Sequence, residues 1–281
     1  MAALSDLSDI INRLTGGNNG TPEHLFFQKS PRINGNPISP SGTRRLISLW
    51  LFDGIPGGVT ALPGAVSAPT NATNGSLKQT NPGGGRQKWL LGMNCMSNYQ
   101  GNLILYDRLL HMSGLSGSVI TDQTVGGTLT RYTGADSVGN QIWIEINTAV
   151  GVTATQITAN YNNQNDDPKT TKAMPFGGGG YNEAQRIIPL SLADGDTGVR
   201  SVTSVKLAAT TGTAGNFGVV IARPLAMISC YNQGLASMCD MITGLPSIRE
   251  IKSDACLALM LWANAGSVGV VAAGSLSMIE A

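Results

Sequence analysis

The chain of 281 residues has room for one large domain or two modest ones. Its 18 basic and 17 acidic side chains leave a net charge of +1, which excludes a strong field of the kind that steers nucleic acid to a surface. Only 12% of residues are charged, against about 25% in ordinary soluble domains; a surface so poor in charge is most simply understood if other subunits cover much of it.

Thirty-six glycines, with abundant Thr, Asn and Ser, favour an all-β fold with many turns. The first residues lack the basic head and apolar core of a signal peptide, and no run of 18 apolar residues could span a bilayer, so neither a leader nor a membrane partner is expected. Asn71-Ala72-Thr73 and Asn74-Gly75-Ser76 match glycosylation sequons but read as loop composition. Cys95, Cys230, Cys239 and Cys256 form no CxxC pair and have no His at metal spacing, so buried reduced thiols are expected.

In chain order, residues 3–14 read as a helix with Leu4, Leu7, Ile10, Ile11 and Leu14 on one face, Ser5 or Ser8 as cap, and Gly16-Gly17 as its end. So short a helix needs something to dock on, either its own domain or a neighbouring subunit. Thr15 to Ser41, broken by Pro22, Pro31, Pro37 and Pro40, reads as an extended arm leading to a first strand at Arg45 to Phe52. Ile55 to Gly85 is a long excursion, rich in Pro and Gly, which either meets a partner or covers a sheet edge.

Strands are expected at Trp89–Tyr99, Asn102–Met112, Leu129–Tyr132, Gln141–Ile146 and Val150–Tyr161. Val199–Leu207 and Phe217–Ile221 then read as two strands able to pair as a hairpin, with Pro224 ending or edging the second. Leu235–Ile242 and Ser247–Ile251 are ambiguous, and Ala255–Trp262 and Ser267–Met278 close the chain as strands. The spacing predicts a jelly-roll-like β-sandwich over residues 46–281, with its long loop at 55–85, preceded by a helix and extended arm at 1–45.

Groups arranged for chemistry are scarce. His111 with Asp107 and a nearby serine is the one set worth weighing as a hydrolase triad; a strand-end histidine bonded to backbone or solvent is the plainer reading. Asp194-Gly195-Asp196-Thr197-Gly198 offers oxygens to calcium but lacks the distal bidentate Glu, and reads as a turn. Neither Gly83–Gly85 nor Gly177–Gly180 is followed by the Lys-Ser/Thr of a phosphate cradle. No catalytic residue, cofactor or metal ligand is assigned. Arg44, Arg45, Arg86 and Lys88 gather around the long loop, and salt bridges to an acidic neighbouring subunit are their ordinary use, ahead of nucleic-acid binding.

Three stretches carry a resemblance. They are Leu103 to His111 (LILYDRLLH) with Ser113 to Gly117 (SGLSG), Ile188-Pro189-Leu190 with Gly195 to Val202 (GDTGVRSV), and Gly212 to Val219 (GTAGNFGV). Together they resemble a family of tailed-bacteriophage virion proteins, over about Trp50 to the C-terminus. The resemblance implies a phage structural component and brings no catalytic residues. Joined to the composition, it leads us to expect a non-enzymatic capsid decoration protein, assembled in the host cytoplasm into the virion. Its partners would be copies of itself and other virion proteins, with no small-molecule substrate. The helix face (Leu4, Leu7, Ile10, Ile11, Leu14) and the four basic residues are the candidate subunit contacts. A tail, collar or baseplate component is the alternative, with a receptor-binding module or cell-envelope hydrolase behind it.

Overall fold

The fold comes from a computed structural model that describes residues 4–30, 32–33, 36–37, 45–59, 62–98, 100–230, 232, 234–243, 248–263 and 272–281. After the short helix α1 (Leu7–Leu14), its longer strands are β1 (Thr21–Lys29), β2 (Arg45–Ser48), β3 (Lys88–Ser97), β4 (Gly101–Leu115), β5 (Gln141–Thr148) and β6 (Thr155–Asn163). Then follow β7 (Arg186–Pro189), β8 (Val199–Leu207), β9 (Asn216–Cys230), β10 (Ala236–Asp240), β11 (Leu257–Ala263) and β12 (Ala272–Glu280). The all-β expectation holds.

The jelly-roll sandwich does not describe the observed pairing. Strands β7, β2, β11, β4, β9 and β5 close into an antiparallel barrel in that order, and two further sheets pack on its outer wall. One runs β10-β3-β12-β1, with Arg249–Ile251 added beside β3 and Gly54–Ile55 beside β1. The other is built on β6 and β8, flanked by the short strands Pro168–Thr170, Met174–Phe176 and Gln123–Thr124. Alternation along each barrel strand then serves two cores at once, because successive side chains point to opposite faces. Tyr106, Trp143, Ile187, Val220, Ala222, Ala258 and Met260 share one buried cluster inside the barrel.

Outward residues divide along the strand. Leu103 and Leu105 of β4, with Leu257, Leu259 and Leu261 of β11, pack under the first sheet against Leu90, Leu276 and Met278. Leu110, Met112 and Leu115 of the same β4, with Ile142, Ile144 and Ile146 of β5, pack under the second sheet against Ile157, Val202 and Val205.

Several expectations need correction. The strands at 199–207 and 217–221 form no hairpin: β8 pairs with β6, while β9 pairs with β4 and β5. Sequence shows that each segment suits a strand but not which partner its apolar face will meet. Pro224 does not end β9, which runs on to Cys230, but it lies where the strand has become an edge: pairing with β5 stops at Ala222, and the pairing with β4 shifts register between Pro224 and Ala226. Leu129–Tyr132 is not a strand but a loop that brings Arg131 into the interior.

The arm expected at 1–45 is partly sheet. Thr21–Lys29 pairs along its length with β12, and Phe27 is buried in the first core. Pro22 is tolerated near the strand's open start, because on the side away from β12 the short strand Gly54–Ile55 meets only Gln28 and Lys29. The long loop also turns back on its own chain. β11 pairs with β4 only as far as Asp107, and beyond it the edge of β4 is covered by the loop. Ser67 exchanges both backbone hydrogen bonds with His111, and the Ser113 N–H donates to the Pro63 carbonyl at 2.8 Å. Covering the edge satisfies backbone groups that would otherwise invite another strand.

Candidate contact surface and buried polar centre

The helix begins at Asp6, not at Ser5 or Ser8: the Asp6 carboxylate accepts the Asp9 N–H at 2.8 Å, the usual way of satisfying a free first-turn donor. Its apolar face is split. Ile10 is buried against Leu91 of β3 and Ile279 of β12, with Leu4 and Trp89 partly buried beside it. Leu7, Ile11 and Leu14, spaced at helical intervals on the adjoining stripe, remain exposed, with Ile11 at 54%. The helix therefore docks on its own sheet through one line of side chains and presents a second line outward.

The sheet below continues that surface. Phe26 lies opposite Ser275, Ser275 opposite Asn94, and Asn94 opposite Met238, one row across four strands. Phe26 and Met238 are each 72% exposed, and Met96 on the next row is half exposed. Single exposed apolar side chains are ordinary, but several on one face mark a surface that something covers.

The basic candidates lie differently. Arg45 is paired with Glu183, Arg86 with Glu280 at 2.9 Å, and the buried Lys88 with Glu23 and with Gln79 Oε1 at 3.2 Å. Each finds its acid within the chain, so the acidic neighbour expected for them is internal. Arg44 lies outside the described residues. Sequence could not reveal these pairs, since Lys88 and Glu23 are brought together only by the sheet.

A polar centre that sequence reasoning missed sits inside the barrel. Arg108 is fully buried, with Nη2 paired to Glu145 of β5, Nη1 donating to the Tyr106 hydroxyl at 3.3 Å, and Nε donating to His111 Nδ1 at 2.9 Å. Its guanidinium also lies over the Trp50 ring, 4.8 Å from the centroid. Arg108 and His111 are three apart, which in a regular strand puts them on opposite faces. They share a face because β4 carries an extra residue: Leu110 pairs with Ile221 and Arg108 with Ala222, leaving Leu109 unpaired.

Since an arginine Nε only donates, His111 must accept at Nδ1 and carry its proton on Nε2. Burial, with the Arg108 charge beside it, pushes the imidazole down to about 2, so it stays neutral. Burial, opposed by the Arg108 charge and reinforced by Glu145, raises the Tyr106 hydroxyl to about 12. Two buried groups in the centre lack partners among the described residues, Trp50 Nε1 and Glu145 Oε1, and such a group costs about 1–3 kcal/mol.

Asp107 faces the other way. It takes two hydrogen bonds from Arg131, Nε at 2.9 Å and Nη2 at 2.8 Å, and accepts the Cys256 N–H at 2.9 Å. Arg131 also donates to the carbonyls of Pro69 and Arg108, tying the long loop to the barrel wall. Burial raises the Asp107 carboxyl, opposed by Arg131. The weighed set of His111 with Asp107 is thus not assembled: the histidine is held by an arginine and the aspartate by another.

The turn at 194–198 is likewise used internally. The Asp196 carboxylate accepts from the Tyr161 hydroxyl at 2.5 Å and from Asn163 at 2.8 Å, and Asp194 pairs with Lys172. Among the described residues no group of three His, Cys, Asp or Glu could hold a metal ion. The four cysteines are unbridged and buried, as expected. No described helix is long and apolar enough to cross a membrane.

Known proteins give little further definition. No family model matches this sequence, and no curated protein matches it. Among solved structures it is similar to T=1 particles derived from infectious bursal virus, at 11% identity and a TM-score of 0.21, over 93% of this chain and 78% of that one. It is similar also to the VP2 subviral particle of infectious bursal disease virus, at 11% identity and a TM-score of 0.19, over 92% and 80%. Likeness this slight carries no argument about fold or role.

Proposed function

We propose that this chain is a structural protein of a virion of the tailed-bacteriophage kind its motifs resemble, and that it decorates the capsid by packing against copies of itself and other virion proteins. The observation that carries the reading is the exposed apolar surface of the first sheet and its helix: Leu7, Ile11, Leu14, Phe26, Met96 and Met238, on a chain only 12% charged. Covering such a surface removes apolar area from water at about 25 cal/mol per Å². Repetition over symmetry-related positions adds the avidity that one contact lacks. The contacts we assign are the outward helix stripe and the sheet row. Arg45, Arg86 and Lys88 hold the subunit itself together. We read the role as non-catalytic, since His111 serves as acceptor for Arg108 and Asp107 is engaged by Arg131.

Mass by light scattering on the purified protein, with and without empty phage capsids, tests this. A monomer or small oligomer that saturates capsids at fixed stoichiometry is the expected result. A stable closed ring that ignores capsids would move the protein to the tail, collar or baseplate. A monomer that binds neither itself nor any virion component would end the structural reading.

A further inference from the structure

Beside the polar centre, between residues 56–59, 62–63 and 73–78 of the long loop, lies an open pocket of about 640 Å³. Its volume is that of an ordinary small-molecule site. Trp50 and His111 line it from the barrel side, while Ser67, Asn74 and Lys78 line it from the loop. Every one of these polar groups has a proton to donate, and no carboxylate lines the pocket. His111 presents Nε2–H, because Arg108 occupies Nδ1, and Nε2 has no partner among the described residues. Trp50 Nε1–H is buried and has no acceptor among them either. The acid of the neighbouring polar centre, Glu145, is engaged by Arg108.

Apart from Thr73, the remaining side chains of the wall are apolar, from Leu62, Val59 and the loop prolines. One cation, several single donors and an apolar wall suit a monovalent anion with a hydrophobic body. They do not suit a phosphate, which would call for more positive charge. Gly75, at φ +93°, lies against the indole, where an added Cβ would come within 3.1 Å of Trp50 Cε2, so the loop backbone closes directly on the ring. From these contacts we propose that the pocket binds a small organic carboxylate, its oxygens taking the N–H groups of Trp50 and His111 and its charge balanced by Lys78. The inference is independent of the virion reading and holds whether or not that reading survives.

Sodium benzoate is a suitable probe, with benzamide as its uncharged counterpart. In a ¹⁵N spectrum of the indole groups, assigned with Trp50→Phe, benzoate should shift the Trp50 signal saturably and benzamide should not. Lys78 is exposed, so Lys78→Ala leaves the fold intact and should weaken benzoate about threefold or more. Calorimetric titration of wild type and Lys78→Ala gives the same comparison if Trp50→Phe does not fold. No benzoate binding at about 10 mM, well above the Kd near 1 mM of a weak site, would overturn the proposal. Equal binding of benzamide, or full affinity in Lys78→Ala, would overturn it too.

Discussion

At the scale of single residues the decisive group is Arg108, a full charge held by Glu145 and His111 inside a barrel whose remaining lining is largely apolar and aromatic. Removing one partner of a buried ion pair usually costs about 3–5 kcal/mol, because the other charge is left alone. The same burial makes His111 a sensor of acid. Its folded pKa, about 2, lies far below the unfolded value near 6.5, so below pH 6.5 the unfolded chain binds a proton that the folded one refuses. Stability from this group is therefore complete above about pH 6.5 and falls as pH drops, at about 1.4 kcal/mol per pH unit. Between pH 7 and 5 the loss should be about 2 kcal/mol in urea unfolding. In His111→Gln, which keeps an acceptor for Arg108, the slope should flatten. The comparison isolates the histidine from Asp107, whose raised carboxyl acts in the opposite direction. An unchanged slope would mean that His111 is already solvated in the folded protein.

At the scale of elements, helix α1 separates two functions that its sequence pattern merges. Leu4, Leu7, Ile10, Ile11 and Leu14 read as one apolar face, yet only Ile10 is fully buried and Leu7, Ile11 and Leu14 are exposed. A helical period shows that side chains share a side but cannot say how much of that side its own sheet will cover. Ile10→Ala should cost about 2–4 kcal/mol. Changing Leu7, Ile11 and Leu14 together to Gln should alter monomer stability by only about 0.5 kcal/mol per site, while weakening self-association or capsid binding at least tenfold. Urea midpoints and sedimentation would separate the two effects. A triple variant as unstable as Ile10→Ala would show the stripe to be packed within the subunit. Other elements were more legible: Val199–Leu207 reads as a strand from alternation alone and is one, residue for residue. Thr21–Lys29 was hidden by Pro22, by the charge of Glu23 and by exposed Phe26, which deny it a clean pattern until β12 is beside it.

For the whole molecule, all-β content followed from glycine and alternation, while the closed barrel did not. Closure depends on partners far apart in the chain, such as Ile187 of β7 with Leu46 of β2, and no local pattern records it. The polar centre was illegible for the same reason, with Glu145 thirty-seven positions from Arg108. Because both outer cores rest on barrel strands, neither sheet can keep its apolar face covered once the barrel opens. Unfolding in urea should therefore be a single transition, with near-ultraviolet circular dichroism and tryptophan fluorescence superimposed. Two separated transitions would show that a sheet holds together without the barrel.

The unpaired Leu109 has a consequence for how this fold tolerates changes in chain length. Deleting a residue from the middle of a regular strand turns every later side chain to the wrong face. Deleting Leu109 would instead restore plain alternation, leaving His111 opposite Val220 and Leu110 opposite Ile221, as they are now. The interior of β4 thus holds a position where the loss of one residue can pass without scrambling either side of the wall, and homologous chains one residue shorter here would keep the same barrel.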